Sequence, residues 1–292
     1  VATAVSEAVS LSGSKLQRVA IAVCGSSVIN KVIDVPYGLN DDELELFLSL
    51  NSEKYIPFPL DEVAMDFQKI SSPSTANTRE KVLLTACRRD TIDKQLAAIN
   101  SVNLSVEVVD VAPFAAKRAL DIFTYSYTES EDLRLIADVG ENHIVCNLID
   151  GEGGLFVWEE AIKCSTIKLN LPALNESSEP ESISEVSLVE CHDQINKPSP
   201  KVFIESLIVE LNRALHMACS STNCEIKDLV LVGDAVPAVS VLNSIQDRLD
   251  AKVTMGNPFQ NMALGPAIDS SELALYSSAL TTACGLALRG LA

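Results

Sequence analysis

The 292-residue chain is 47% hydrophobic and carries a formal net charge of -18. That apolar content is ample for one large or two ordinary packed domains, while the charge excludes nucleic acid and attachment to an anionic membrane through basic residues. No apolar run reaches the length of a membrane span and no signal peptide is visible, and eight scattered cysteines without a Cys-x-x-Cys pair fit a reducing cytoplasm better than a disulfide framework.

In chain order, residues 1–11 read as the end of a helix, RVAIAVC (18–24) as a short buried strand and VINKVIDVP (28–36) as a second. Asn40 is placed to cap a helix, with Glu43 completing a capping box and Asp41 and Asp42 in the first turn. That helix is expected to run over 41–55 and to stop at Pro57 and Pro59. VAMDFQ (63–68) alternates Val63, Met65 and Phe67 with polar or small neighbours, the period of a half-buried strand. After a Ser/Pro/Thr loop, strand KVLLTAC, helix RDTIDKQLAAIN and strand LSVEVVDV follow, and residues 18–104 form a compact α/β unit.

The stretch LIADVGENHIVCNLIDGEGGLF (135–156) reads as two apolar strands joined by a short acidic loop, with GLFVWEEA (154–161) as a third strand. Residues 175–200 are rich in Ser, Glu and Pro and read as an exposed loop, the part over 175–187 being dispensable for folding. VFIESLIVELNRALHMACSS is a strong amphipathic helix with Phe203, Leu207, Leu211, Leu215 and Ala218 on one face. Strand DLVLVG (228–233), helix PAVSVLNSIQDRLD, strand AKVTM and a last helix ending at GLALRGLA complete the chain. Three antiparallel strands followed by alternating helix and strand is the order of a ribonuclease-H-like domain, with a helical insertion between its third and fourth strands.

Residue chemistry alone leaves several readings open. Asp138, Gly140 and Asn142 are ordinary hairpin-turn residues, and equally the kind of loop whose amides close around a phosphate. Cys24, Cys87, Cys146 and Cys284 lie in apolar segments, where Cys behaves as a small hydrophobe. Cys191-His192 and Cys219 with Cys224 fit no common zinc spacing. His216 lies on the polar face of the long helix and His143 begins an apolar strand; no Ser/His/Asp or Cys/His arrangement supports nucleophilic catalysis.

A resemblance narrows these readings. RVAIAVCGSSVINKVIDVP, EKYIPFPLDEVAMDFQ, VVDVAPFAAKRAL, DVGENHIVCNLIDG, GNPFQNM and ACGLALRG occur collinearly, and together they resemble the FtsA branch of the actin-like ATPase superfamily and, within it, the PilM family of type IV pilus assembly. The implied fold is α/β, a two-lobed actin-like (ribonuclease-H-like) architecture with an FtsA/PilM-type inserted subdomain. The first lobe would comprise residues 1–17, 105–132 and 274–292, the inserted subdomain 18–104, the second lobe 133–164 and 225–273, and the helical insertion 165–224. In such folds a first phosphate hairpin, Asp-x-Gly between two strands, precedes the point where this sequence begins, so strands with their turns, on the order of 25 to 40 residues, are expected upstream. One sheet edge would then lie open here.

The resemblance implies that Asp138, Gly140, Glu141 and Asn142 form the second phosphate motif, with Asp138 orienting a Mg²⁺ ion through water. Lys163-Cys164 stands where the family commonly has paired glycines that admit the γ-phosphate; Lys163 offers a point charge in exchange. LVGDAVPA keeps only Gly233 of the family's glycine run and places Asp234 beside it. Glu210 and Arg213 match positions flanking the nucleoside, although as exposed helix residues they are more often just solvated. An ATP–Mg site is therefore expected only in a longer protein, weakened, and this chain is expected not to bind ATP appreciably. Tyr55, Ile56, Pro57 and Phe58 border the groove that in the family receives the N-terminal cytoplasmic peptide of PilN; each reads equally as core.

The implied function is a non-enzymatic cytoplasmic scaffold of the pilus inner-membrane platform, recruited through PilN and other platform or motor proteins, with no membrane insertion of its own. The alternatives are the cytoplasmic domain of a type II secretion GspL-like protein and an actin-fold small-molecule kinase.

Overall fold

The computed structural model describes residues 1–23, 27–70, 79–123, 133–140, 144–149, 155–156, 200–236, 239–266 and 268–289. Cys24, Glu141, Asn142, His143, the expected strand beyond residue 156, Lys163, Cys164, the loop over 175–199 and Cys191-His192 lie outside these residues.

Helix α1 (Ala2–Ser12) closes on Gly13, whose left-handed φ of 62° lets its N–H reach the Ser10 carbonyl. Strand β1 (Arg18–Val23) pairs in parallel with β5 (Ser105–Val111). Between them lies an antiparallel sheet of β2 (Val28–Pro36), β3 (Val63–Lys69) and β4 (Arg79–Arg88), in the order β2-β4-β3. The capping box forms as the spacing predicts: Asn40 Oδ1 accepts from the Glu43 N–H at 2.9 Å and Glu43 Oε2 from the Asn40 N–H at 2.9 Å. Helix α2 (Asp41–Asn51) ends earlier than expected, because the chain tightens into a 3₁₀ turn over Ser52–Lys54. The Ser52 carbonyl accepts from both Tyr55 and Ile56, which turns the chain before the prolines are reached. Leu44 and Leu48 of α2 are sealed against Ile33, Val63, Val82 and Leu84, with Met65 and Phe67 at the margin; each such burial contributes about 1.5–3 kcal/mol.

Helix α3 (Arg89–Asn100) leads to β5, and α4 (Ala112–Phe123) follows directly. The second sheet contains β6 (Arg134–Val139), β7 (Ile144–Ile149), β8 (Leu155–Phe156), β9 (Asp228–Val232) and β10 (Lys252–Met255), in the order β8-β7-β6-β9-β10. The first three strands are antiparallel, and β6, β9 and β10 are parallel, which is the ribonuclease-H-like topology expected. Helix α5 (Pro200–Thr222) buries Phe203, Leu207, Leu211, Leu215 and Ala218 against one face, and α6 (Val239–Gln246) adds Ile245. Strand alternation turns Ile136, Val230 and Val232 to the other face, where Leu120 of α4 and Leu83 of β4 cover them. Burial on both faces is why β9 is apolar throughout 229–232 and β6 over 135–137.

Helix α7 (Ser270–Tyr276) leads to α8 (Thr281–Arg289), which packs against α4. At the α4–α8 crossing a Cβ on Gly285 would lie 1.7 Å from the Ala115 carbonyl oxygen, so the helices meet backbone to backbone. Arg118 locks the crossing, donating to Asp110 Oδ2 at 3.0 Å and to the Gly285 carbonyl at 2.9 Å, while Arg289 lies 3.9 Å from the same carboxylate. Among the described residues no helix is long and apolar enough to cross a membrane.

Candidate functional site

The carboxyl ends of β6, β9 and β10 converge, the position where open α/β sheets take ligands. Asp138, next to last in β6, stands opposite Val232 of β9. The next residue, Gly233, adopts a φ of +106°, and a Cβ there would lie 2.5 Å from both Asp138 Oδ1 and the Val139 carbonyl oxygen. Only glycine meets both demands. Gly140 is buried directly behind Val139.

The turn between α7 and α8 caps this junction. The Gly233 N–H donates to the Ser278 carbonyl at 3.1 Å, and the Ala235 N–H to the Val139 carbonyl at 2.9 Å. Gly256, after β10, has its N–H on the Leu231 carbonyl at 2.8 Å, and its missing Cβ would lie 3.2 Å from Thr281 Oγ1. Ser277, Ser278 and Thr281 are all buried there. The amides of Gly233, Ala235 and Gly256 are thus committed to protein carbonyls. Asp138 supplies one carboxylate, and among the described residues no three His, Cys, Asp or Glu side chains gather as metal ligands.

Of the residues singled out in the sequence, Asp138, Gly140 and Gly233 come together, with Asp234 exposed beside them. Glu210 and Arg213 form their own pair on α5, Arg213 Nη1 lying 4.0 Å from Glu210 Oε2. Glu141, Asn142 and Lys163 lie outside the described residues. The four residues 55–58 split: Ile56 is 2% exposed and belongs to the inserted sheet's core, and Tyr55 packs at its margin. Pro57 and Phe58 face outward, the Phe58 ring centroid 5.4 Å from the Arg88 guanidinium carbon, a cation–π distance. Lys31 Nζ holds the segment by donating to the Tyr55 carbonyl at 2.8 Å. Cys87 and Cys146 are buried, Cys224 is exposed, and His216 is exposed on α5.

Sequence reasoning missed Ser278, Gly256 and the Asp110–Arg118 pair. Gly256 and Gly285 stand inside the motifs GNPFQNM and ACGLALRG, and the small residues Ala112, Ala115, Ala116 and Ala119 of α4 mark a helix that another can approach closely.

A ribonuclease-H-like second sheet, an inserted α/β subdomain and a close helix crossing beneath the strand ends define an actin-like protein of two-lobed type. The chain belongs to the family of the type IV pilus assembly protein PilM, whose model matches residues 1–291. A solved PilM–PilN type IV pilus biogenesis complex is similar over 100% of this chain and 84% of that chain, at 20% identity and a TM-score of 0.75. The cytoplasmic domain of EpsL, an inner-membrane component of the type II secretion system of Vibrio cholerae, matches at 15% identity over 54% of this chain and 56% of its own, with a TM-score of 0.39. An archaeal actin homologue matches at 9% identity over 68% and 66%, with a TM-score of 0.41.

Proposed function

We propose that this chain is a non-enzymatic adaptor on the cytoplasmic face of the type IV pilus inner-membrane platform, and that it holds the N-terminal tail of a PilN protein. The observation that carries the reading is its whole-length likeness to PilM as found in a PilM–PilN complex, joined to its family membership. Locally, Phe58 presents an apolar ring at the surface of the inserted subdomain, where a short apolar peptide finds a contact. The ring is held beside an Arg88 that is itself paired with Asp90 at 3.4 Å and Glu62 at 3.9 Å. In this reading ATP is a conformational ligand and not a substrate.

The test is a titration of the folded protein with a synthetic peptide copying the cognate PilN N-terminus. Three or four apolar anchors, less the cost of ordering the peptide, lead to roughly micromolar binding. Phe58→Ala should weaken it while a thermal melt confirms an intact fold. Absence of binding to the folded protein overturns the adaptor reading, and phosphoryl transfer to a small-molecule acceptor would establish a kinase instead.

A further inference from the structure

A second surface is built around α7, on the flank of the turn that caps the strand-end junction, and includes none of residues 55–58. Ile268, Asp269, Glu272, Leu273, Tyr276 and Leu280, with Ala279, line an open groove of about 360 Å³. Its walls are apolar yet unsealed: Ile268 is 51% exposed, Tyr276 45% and Leu280 37%, and Leu264 and Leu275 extend the same exposed stretch. Large apolar side chains scattered singly over a surface need no explanation, but five within residues 264–280 form a patch of the kind that marks an interaction site.

Charge identifies the occupant. From Val253 to Leu288 the sequence contains no Lys, Arg or His, and its only charged residues are Asp269 and Glu272, both of them in the groove wall. Asp269 is engaged locally, its Oδ1 accepting from the N–H groups of Ser271 at 2.7 Å and Glu272 at 3.2 Å as the cap of α7. Its position is therefore fixed, and Glu272 projects from the first turn of the same helix as the open carboxylate. A second copy of this chain would bring a like-charged wall against this one, on a molecule of net charge -18. We propose that the α7 groove docks a short segment of a partner protein that combines two or three aliphatic or aromatic side chains with a lysine or arginine. The apolar side chains enter between Tyr276, Leu273 and Leu280, and the cation meets Glu272. This surface is independent of the PilN reading, since none of its residues belongs to the 55–58 segment.

The probe is a labelled twelve-residue peptide alternating Leu and Lys, titrated by fluorescence anisotropy at physiological salt, with an alternating Leu and Glu peptide as its counterpart. The Leu–Lys peptide should bind, and the Leu–Glu peptide should bind at least tenfold more weakly. Glu272→Lys and Leu280→Ser should each weaken the Leu–Lys peptide about five- to tenfold, whereas Glu45→Lys, an equal charge change on α2, should leave it within about twofold. Both groove variants change exposed side chains, and hydrogen exchange on the unaltered chain gives a second readout, with protection expected over residues 268–280. Equal losses from Glu45→Lys and Glu272→Lys, an unaffected Leu280→Ser, or protection confined elsewhere would overturn the assignment.

Discussion

Gly233 lies against the carboxylate of Asp138 so closely that a Cβ on it would sit 2.5 Å from Oδ1, and its φ of +106° is one that other residues adopt only under strain. Gly233→Ala should therefore destabilise the fold by about 3 kcal/mol, from backbone strain and overpacking together. Adding Asp138→Ala should not restore it, because the Val139 carbonyl oxygen stands equally close. Urea unfolding of the single and double variants measures both; a loss under about 0.5 kcal/mol, ordinary for a surface change, would show that the junction yields freely.

That contact was half legible in the sequence. Asp138 reads as a hairpin-turn residue and Gly233 only as what remains of the glycine run the resemblance implies, while the amphipathic face of α5 and the capping box at Asn40 follow from local periodicity and spacing. Such features depend on neighbours a few residues away. The partner of the Gly233 amide is the Ser278 carbonyl, and a backbone acceptor leaves no mark in side-chain identity. Likewise Arg118 reaches Gly285 across 167 positions. The early end of α2 escaped for a related reason: the 3₁₀ turn at Ser52 competes with the helix over a single hydrogen bond.

The helix crossing depends on a buried charge. The Asp110 side chain is 4% exposed, and its carboxylate serves Arg118 at 3.0 Å and its own strand through the Val111 N–H at 2.8 Å. Asp110→Ala leaves Arg118 without its counter-charge. Complete burial would make that cost 3–5 kcal/mol, and because Arg118 is about a quarter exposed the expected loss is nearer 2–3 kcal/mol. Combining it with Arg118→Met should recover part of the loss but not all, since the Gly285 carbonyl loses its donor in either background. Full additivity in denaturant melts would argue that the two side chains do not interact.

Cys87 gives the stability a definite dependence on pH. Burial pushes its thiol above the ordinary range, the Asp90 carboxylate pushes the same way, and a hydrogen bond with the Arg88 backbone opposes them in part. A raised folded-state value favours the protonated thiol in the native protein. The contribution is complete below the ordinary thiol pKa of about 8.5 and is lost as the pH rises from there through the folded value. Stability should therefore fall from about pH 8.5 upward, and Cys87→Ala should flatten part of that slope relative to the unaltered chain. Thiol labelling offers a parallel check: among the described cysteines exposed Cys224 should react first, and Cys87 and Cys146 only on unfolding. A slope identical in the Cys87→Ala variant would remove the thiol from the account.

The last prediction concerns nucleotide. Binding a triphosphate at the strand ends requires amide donors to face it, and the Gly233 amide here faces Ser278 while that of Ala235 faces Val139. Freeing them means parting the α7–α8 turn from β9, which also uncovers buried Ser277, Ser278 and Thr281. Asp234 adds negative charge beside that position, and the whole chain carries -18, so a polyanion is opposed at short and long range. Titration calorimetry of this chain with Mg-ATP should accordingly show no saturable heat, and added Mg-ATP should leave the melting temperature unchanged, because a ligand stabilises only what it binds. The two readouts fail differently: a binding event of near-zero enthalpy escapes calorimetry but still raises the melting temperature. Roughly micromolar affinity, about -8 kcal/mol, would mean that nucleotide acts on this chain after all.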